Sequence, residues 1–179
     1  IRLRRSTESR FDWLDGVQIV CFDGFASPVS SFHSGHSQRL DSAMTQHDVV
    51  ILGGGPAGST AATLLASRGM DVVVLEKDHF PRFHIGESLL PGTVTIFERL
   101  GVHEQIREAF IHKPGGKWLY GPKEVPGDFA KSDRKATFKD TPYSYLVERS
   151  VFDDILIKRS QQTGADVRFG SEIRSTIVK

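Results

Sequence analysis

A three-layer α/β fold around a parallel sheet is predicted by three features set between Asp48 and Glu76. These are a short apolar β-branched run, a glycine turn spaced G-x-G-x-x-G, and a second apolar run closed by an acid. Val49, Val50, Ile51 and Leu52 are wholly apolar, as expected of a strand covered on both faces by helices. Gly53 permits the tight turn that follows, Gly55 leaves room for the backbone to approach a pyrophosphate, and Gly58 lets the next helix pack closely on the strand. Ala57 to Ser67 reads as that helix, with Ala61, Leu64 and Leu65 on an inner face and Gly69 placed to end it. Its N-terminal amides point at bound phosphates. Val72 to Leu75 is the second buried strand, and Glu76 ends it about 20 residues beyond the glycines. A carboxylate there accepts hydrogen bonds from an adenosine ribose and disfavours a 2′-phosphate. The unit is Rossmann-like and holds a dinucleotide, FAD or NAD on the motif alone.

Beyond Glu76 the punctuation changes. Phe80-Pro81-Arg82 and Gly86-Glu87-Ser88 read as loop, and Leu90-Pro91-Gly92 leads into a helix near Thr93 to Leu100 that Gly101 closes. Leu146 to Asp153 joins a strand to a helix, with Ser150 and Asp153 spaced as a capping box and Phe152, Ile155 and Leu156 as its apolar face. Thr163-Gly164 ends that helix, Ala165 to Phe169 is the next strand, and Ser171 to Lys179 begins a further strand-like stretch. A doubly wound sheet needs more strands than these, so the reading is of a domain incomplete at the C-terminus.

Composition narrows the classes. The 179 residues carry 23 Lys and Arg against 22 Asp and Glu, so no large basic face for nucleic acid is implied. Cys21 is the single cysteine, which excludes an intramolecular disulfide framework and fits a reducing compartment, with cytoplasm the default. No apolar run approaches the length of a membrane span. Residues 1–43 read as a disordered or upstream extension and residues 44–179 as the domain, because Ser27 to Ser42 is rich in serine, glycine and histidine without sustained periodicity and Met44 stands just before the first strand. His33, His36 and His47 read as solvated side chains, since no second cluster completes a coordination sphere. No metal is expected.

The segments GGGPAGSTAA and FPRFHIGESLLP resemble the N-terminal part of flavin-dependent halogenases, particularly the branch acting on phenolic and pyrrolic substrates, from about Met44 onward. The parent superfamily holds single-component FAD monooxygenases and geranylgeranyl-reductase-like enzymes. The glycine motif is common to all of these, whereas F-P-R-x-H-I-G-E-S is narrower. The resemblance selects FAD. It implies that Gly53, Gly55, Pro56, Ala57, Gly58 and Glu76 bind its ADP half and that Glu87 and Ser88 lie near the isoalloxazine. Arg149, in an R-x-x-F-D segment, either reaches the flavin from a strand end or is a surface cation balancing Glu148. Lys113, in Lys113-Pro114-Gly115, matches the K-x-G lysine of these enzymes, with Lys117 as the alternative. The implied chemistry uses reduced FAD, oxygen and halide to make hypohalous acid, which a tunnel carries to the lysine for delivery to an electron-rich aromatic substrate, free or carrier-bound. A separate flavin reductase supplies the reduced cofactor. The W-x-W-x-I-P segment of halogenases is expected beyond Lys179. The competing readings are a monooxygenase or prenyl-group reductase on the same scaffold, and a truncated chain that only binds a nucleotide.

Overall fold

The computed structural model describes the backbone of residues 18–21 and the whole of residues 46–131 and 141–174. Its main sheet runs in the order β1 (Gln18–Cys21), β2 (Val49–Leu52), β3 (Val72–Leu75) and β9 (Asp166–Arg168). β2, β3 and β9 are parallel, and β1 pairs antiparallel on the free edge of β2. Consecutive residues of the two apolar runs point to opposite faces of the sheet, and both sets are buried. Val49, Ile51, Val72 and Val74 pack on one side with Ala62 and Ile157, while Val50, Val73 and Leu75 form a smaller cluster on the other. Helices α1 (Pro56–Ala66) and α4 (Arg149–Gln162) supply Ala62 and Ile157, so both lie on the first side. A second helical layer of the expected three-layer fold is not among the described residues.

A second core stands beside the first. A three-stranded sheet of β4 (Glu87–Ser88), β8 (Ser144–Val147) and β5 (Ile111–Lys113), with β8 in the centre, packs Tyr145 and Val147 against α2 (Gly92–Leu100), α3 (His103–Ala109) and α4. α4 serves both cores, giving Phe152 and Leu156 to one and Ile157 to the other. Its first residue is therefore held between the two sheets. A hairpin of β6 (Gly115–Tyr120) and β7 (Lys123–Asp128) extends from β5.

Three local expectations need correction. α1 begins at Pro56, and its fully buried positions are Gly58, Ser59, Ala62 and Thr63, while Ala61, Leu64 and Leu65 pack half-buried against the cores as expected of an inner face. Small side chains face the strand because the helix approaches it closely, and the leucines fill the margins. Helix α2 ends as expected on Gly101, whose φ of 70° is the left-handed conformation glycine tolerates. The Ser150–Asp153 capping box does not form. The helix starts earlier, at Arg149, Ser150 bonds the Glu148 carboxylate, and Asp153 turns to the Arg149 guanidinium, where two charge-assisted bonds outweigh one to a backbone amide. Glu87-Ser88 is strand rather than loop, because its backbone pairs with β8. Of residues 1–43, Gln18–Cys21 forms the strand β1, and the rest, with His33 and His36, lie outside the described residues, as does the expected strand past residue 174.

Candidate functional site

At the C-terminal ends of β2 and β3 the chain opens a crevice of about 480 Å³, lined by the glycine turn, Glu76, Lys77, Arg82, Arg149 and the segment 171–173 that follows β9. The crevice sits where an open parallel sheet places its ligands, outside the carboxyl ends of the strands. Of the predicted cofactor residues, Gly53, Gly55, Pro56, Ala57, Gly58, Glu76 and Arg149 line it.

The glycine turn is fixed by contact. Gly53 has a φ of 95°, and a Cβ on Gly58 would lie 2.0 Å from the Gly53 carbonyl oxygen, so no larger residue fits at position 58. Gly55 is the N-cap of α1, with no side-chain cap and no acid in the first turn. The first amides of an 11-residue helix thus face the crevice unsatisfied, which is the condition for holding a diphosphate. These observations fit the dinucleotide that the sequence implies.

Glu76 does more than the sequence reading assigned to it. It is 3% exposed; one oxygen accepts the Gly54 amide at 2.6 Å and the other the Asp78 amide at 2.9 Å. The carboxylate therefore ties the glycine turn to the end of β3 while facing the crevice. Beyond it runs a chain of alternating charge. Arg82 Nη2 stands 3.7 Å from Glu76 and 3.9 Å from Asp153, Nη1 binds Asp78 at 2.9 Å, and Asp153, wholly buried, grips Arg149 through both oxygens at 2.7 and 2.9 Å. Arg149 also approaches Glu87 at 3.5 Å. Its guanidinium is pushed further toward the charged form, chiefly by the Asp153 bonds. Among the described residues the carboxylate partners of Arg149 are Asp153 and Glu87, and its side chain lines the crevice. Arg82, which lines the crevice, was left without a role by the sequence, and Asp153, which holds Arg149 there, was read only as a capping-box acid. The F-P-R signal marked Arg82 as a loop residue, but no spacing rule brings it to Asp153, 71 positions away.

Glu87 and Ser88 are exposed on β4 and do not line the crevice, although Glu87 touches it through Arg149. Lys113 is elsewhere again. On β5, it is half-buried, its Nζ donates to the Leu89 carbonyl at 2.7 Å, and the Phe129 ring lies 5.0 Å from the nitrogen. Desolvation lowers its pKa, so a neutral amine is more accessible than on a solvated lysine. Lys117 is exposed on the hairpin and paired with Glu124 at 2.7 Å. His47 lies 3.1 Å from Asp71. No helix among the described residues is long and apolar enough to cross a membrane.

Comparison with known proteins agrees with the crevice. Residues 46–178 match the family model of the FAD binding domain. The chain is 40% identical over 142 residues to 1H-pyrrole-2-carbonyl-[peptidyl-carrier protein] chlorinase from Pseudomonas fluorescens, covering 71% of this chain and 32% of that protein. It is 41% identical over 126 residues to tryptophan 2-halogenase from Chondromyces crocatus, covering 70% and 23%. Among solved structures, the myxobacterial chondrochloren halogenase CndH matches with a TM-score of 0.59 at 40% identity, covering 68% of this chain and 28% of that one. The chain thus spans about a quarter to a third of the length of these relatives. With its glycine turn, buried acid and parallel sheet, this chain belongs to the FAD-binding domain family, in the part of it that flavin-dependent halogenases share.

Proposed function

We propose that this chain is the cofactor-binding and lysine-bearing part of a flavin-dependent halogenase, which in the complete protein halogenates an electron-rich aromatic substrate. When bound, FAD supplies the electrons that activate oxygen toward halide. The protein's own contribution divides between two places. In the crevice, the α1 amides and the glycine turn hold the diphosphate, Glu76 accepts the ribose hydroxyls, and Arg82 and Arg149 balance charge. On the small sheet, Lys113 receives hypohalous acid and directs halogen to the ring, and its partial burial favours the free amine that such a transfer needs. The observation that carries this reading is the position of Lys113. It is half-buried, free of any carboxylate among the described residues, and outside the crevice, so the oxidant and the cofactor are kept apart. Halide, a free or carrier-bound aromatic substrate and a separate flavin reductase complete the system, in a reducing cytoplasm.

Lys113→Ala in the complete protein is expected to leave FAD affinity unchanged and to lower ring halogenation about 100-fold or more, the range of a lost proton-handling group. Lys117→Ala retains activity. Halogenation that survives Lys113→Ala but not Lys117→Ala moves the role by one lysine. Hydroxylation of the substrate without need of halide places the protein with the monooxygenases instead.

A further inference from the structure

Lys113 on β5 is the register partner of Ser144 on the central strand β8, so the two side chains share one face of the small sheet. The lysine reaches across that strand. Its amine bonds the carbonyl of Leu89, and Leu89 lies on the far side of β8, where its amide donates to the Tyr145 carbonyl at 3.0 Å. Ser144 sits beneath this bridge, wholly buried, and its Oγ meets no hydrogen-bond partner among the described residues. Burying a hydroxyl with nothing to bond is unfavourable, and a methyl group would fill nearly the same space without that cost. The oxygen is therefore there for an interaction that the resting arrangement does not make.

The other groups around the lysine leave that interaction to the amine. Phe129 offers a ring face, and the flanking Asp128 and Lys131 are paired with each other at 3.5 Å. Tyr145 turns to the opposite face, into the core, with His103 bonded to its hydroxyl at 3.1 Å, and the Tyr143 ring lies tilted 4.7 Å from that of His112 on that side. We propose that Ser144 is a positioning residue for Lys113, its hydroxyl the second seat of the amine when the bond to Leu89 opens. A carbonyl only accepts hydrogen bonds, whereas a hydroxyl accepts from an ammonium and donates to the lone pair of a neutral amine. Ser144 follows the nitrogen through a change of protonation and keeps it on one face of the sheet. The inference rests on the assignment of Lys113 as the halogen-handling residue.

The test is trace acetylation of the full chain with acetic anhydride across a pH series, read at each lysine by mass spectrometry. Ser144→Ala is expected to move the labelling midpoint of Lys113 up by about one pH unit, because the ammonium keeps the Leu89 carbonyl as acceptor while the neutral amine loses its hydroxyl donor. Ser144→Thr, which keeps the hydroxyl, returns it, and the midpoint of Lys117 stays fixed in both. A Lys113 midpoint unchanged by Ser144→Ala overturns the proposal, as does a folded Ser144→Thr variant that fails to restore it, since the effect is then one of packing. If the threonine variant does not fold, the alanine midpoint alone decides. Labelling reads the amine directly, so this outcome is separate from whether Lys113→Ala abolishes halogenation.

Discussion

The crevice and the lysine face are built in opposite ways. The crevice draws its turn, helix start and acid from one run of sequence, Gly53 to Glu76, and closes them with bonds inside that run, such as Gly54 to Glu76. The lysine face assembles three separated strands, so that Lys113 meets Leu89, 24 positions earlier, and Ser144, 31 positions later, only through sheet pairing. A local site survives as a motif in many proteins because its geometry is carried by the chain itself. A site made by tertiary pairing needs the whole sheet to be in register before any of its groups has a neighbour. The two are joined at one point, the N-terminus of α4, where Asp153 holds Arg149 toward the crevice and Phe152 anchors the same turn in the core behind β8.

That joint gives the largest expected effect on stability. Asp153→Ala removes a buried carboxylate from between Arg149 and Arg82 and leaves two largely buried guanidiniums without it, at a cost of about 3–5 kcal/mol. Chemical denaturation of the variant measures it. A loss under about 1 kcal/mol would mean that the two sites are not coupled through α4.

Glu76→Ala tests the crevice by itself. The change deserts two backbone amides and removes a ribose acceptor, so FAD binding should weaken by about 1.5–3 kcal/mol in the complete protein. An unchanged dissociation constant would leave Glu76 with a purely structural role in the turn.

How much of each site was legible in the sequence follows from the same contrast. Gly53, Gly55, Gly58 and Glu76 could be read because their spacing is the geometry. Gly101 and Thr163-Gly164 likewise announced their helix ends. Lys113 was reachable only through resemblance, and its burial was not, since the cover comes from Phe129 and from a bond across β8. Ser144 carried no readable signal, Arg82 was legible only as a loop residue and Asp153 only as a helix-start acid. Ser144 meets Lys113 only across the sheet and Arg82 meets Asp153 only across 71 positions, and periodicity reports the face a side chain takes but not its partner. The missed capping box has a local origin, because the guanidinium of Arg149, four residues earlier, competes for Asp153.

Tyr145 probes the core that supports the lysine face, with a smaller effect. Burial first, then the neighbouring Tyr143, raises its pKa from 10 to about 12. The unfolded chain then ionises before the folded one, so the stabilisation is complete below about pH 10 and is lost as pH rises through about 12. The unfolding midpoint should be lower at pH 11 than at pH 9. Tyr145→Phe should flatten that difference while costing about 0.5–1.5 kcal/mol at neutral pH through the lost bond to His103. An equal pH 9 to 11 decline in the variant would assign the titration to another group.

The smallest effect is expected at the chain's beginning, and it sharpens the idea that the crevice is self-contained. We propose that a chain starting at Met44 keeps the folded domain. Among the described residues the crevice is lined from Leu52 onward, and β1 adds backbone pairing along one edge of β2. Removing that strand uncovers the edge of β2, whose parallel pairing to β3 and packing on α1 are retained. The change in stability should fall within about 1 kcal/mol, the scale of an exposed edge whose backbone groups are taken up by water. Limited proteolysis of the two chains should yield the same protected core, and FAD affinity should agree within about twofold. Loss of the protected core on truncation would show that β1 is a structural strand of the sheet, and that the fold depends on residues that the glycine motif alone does not announce.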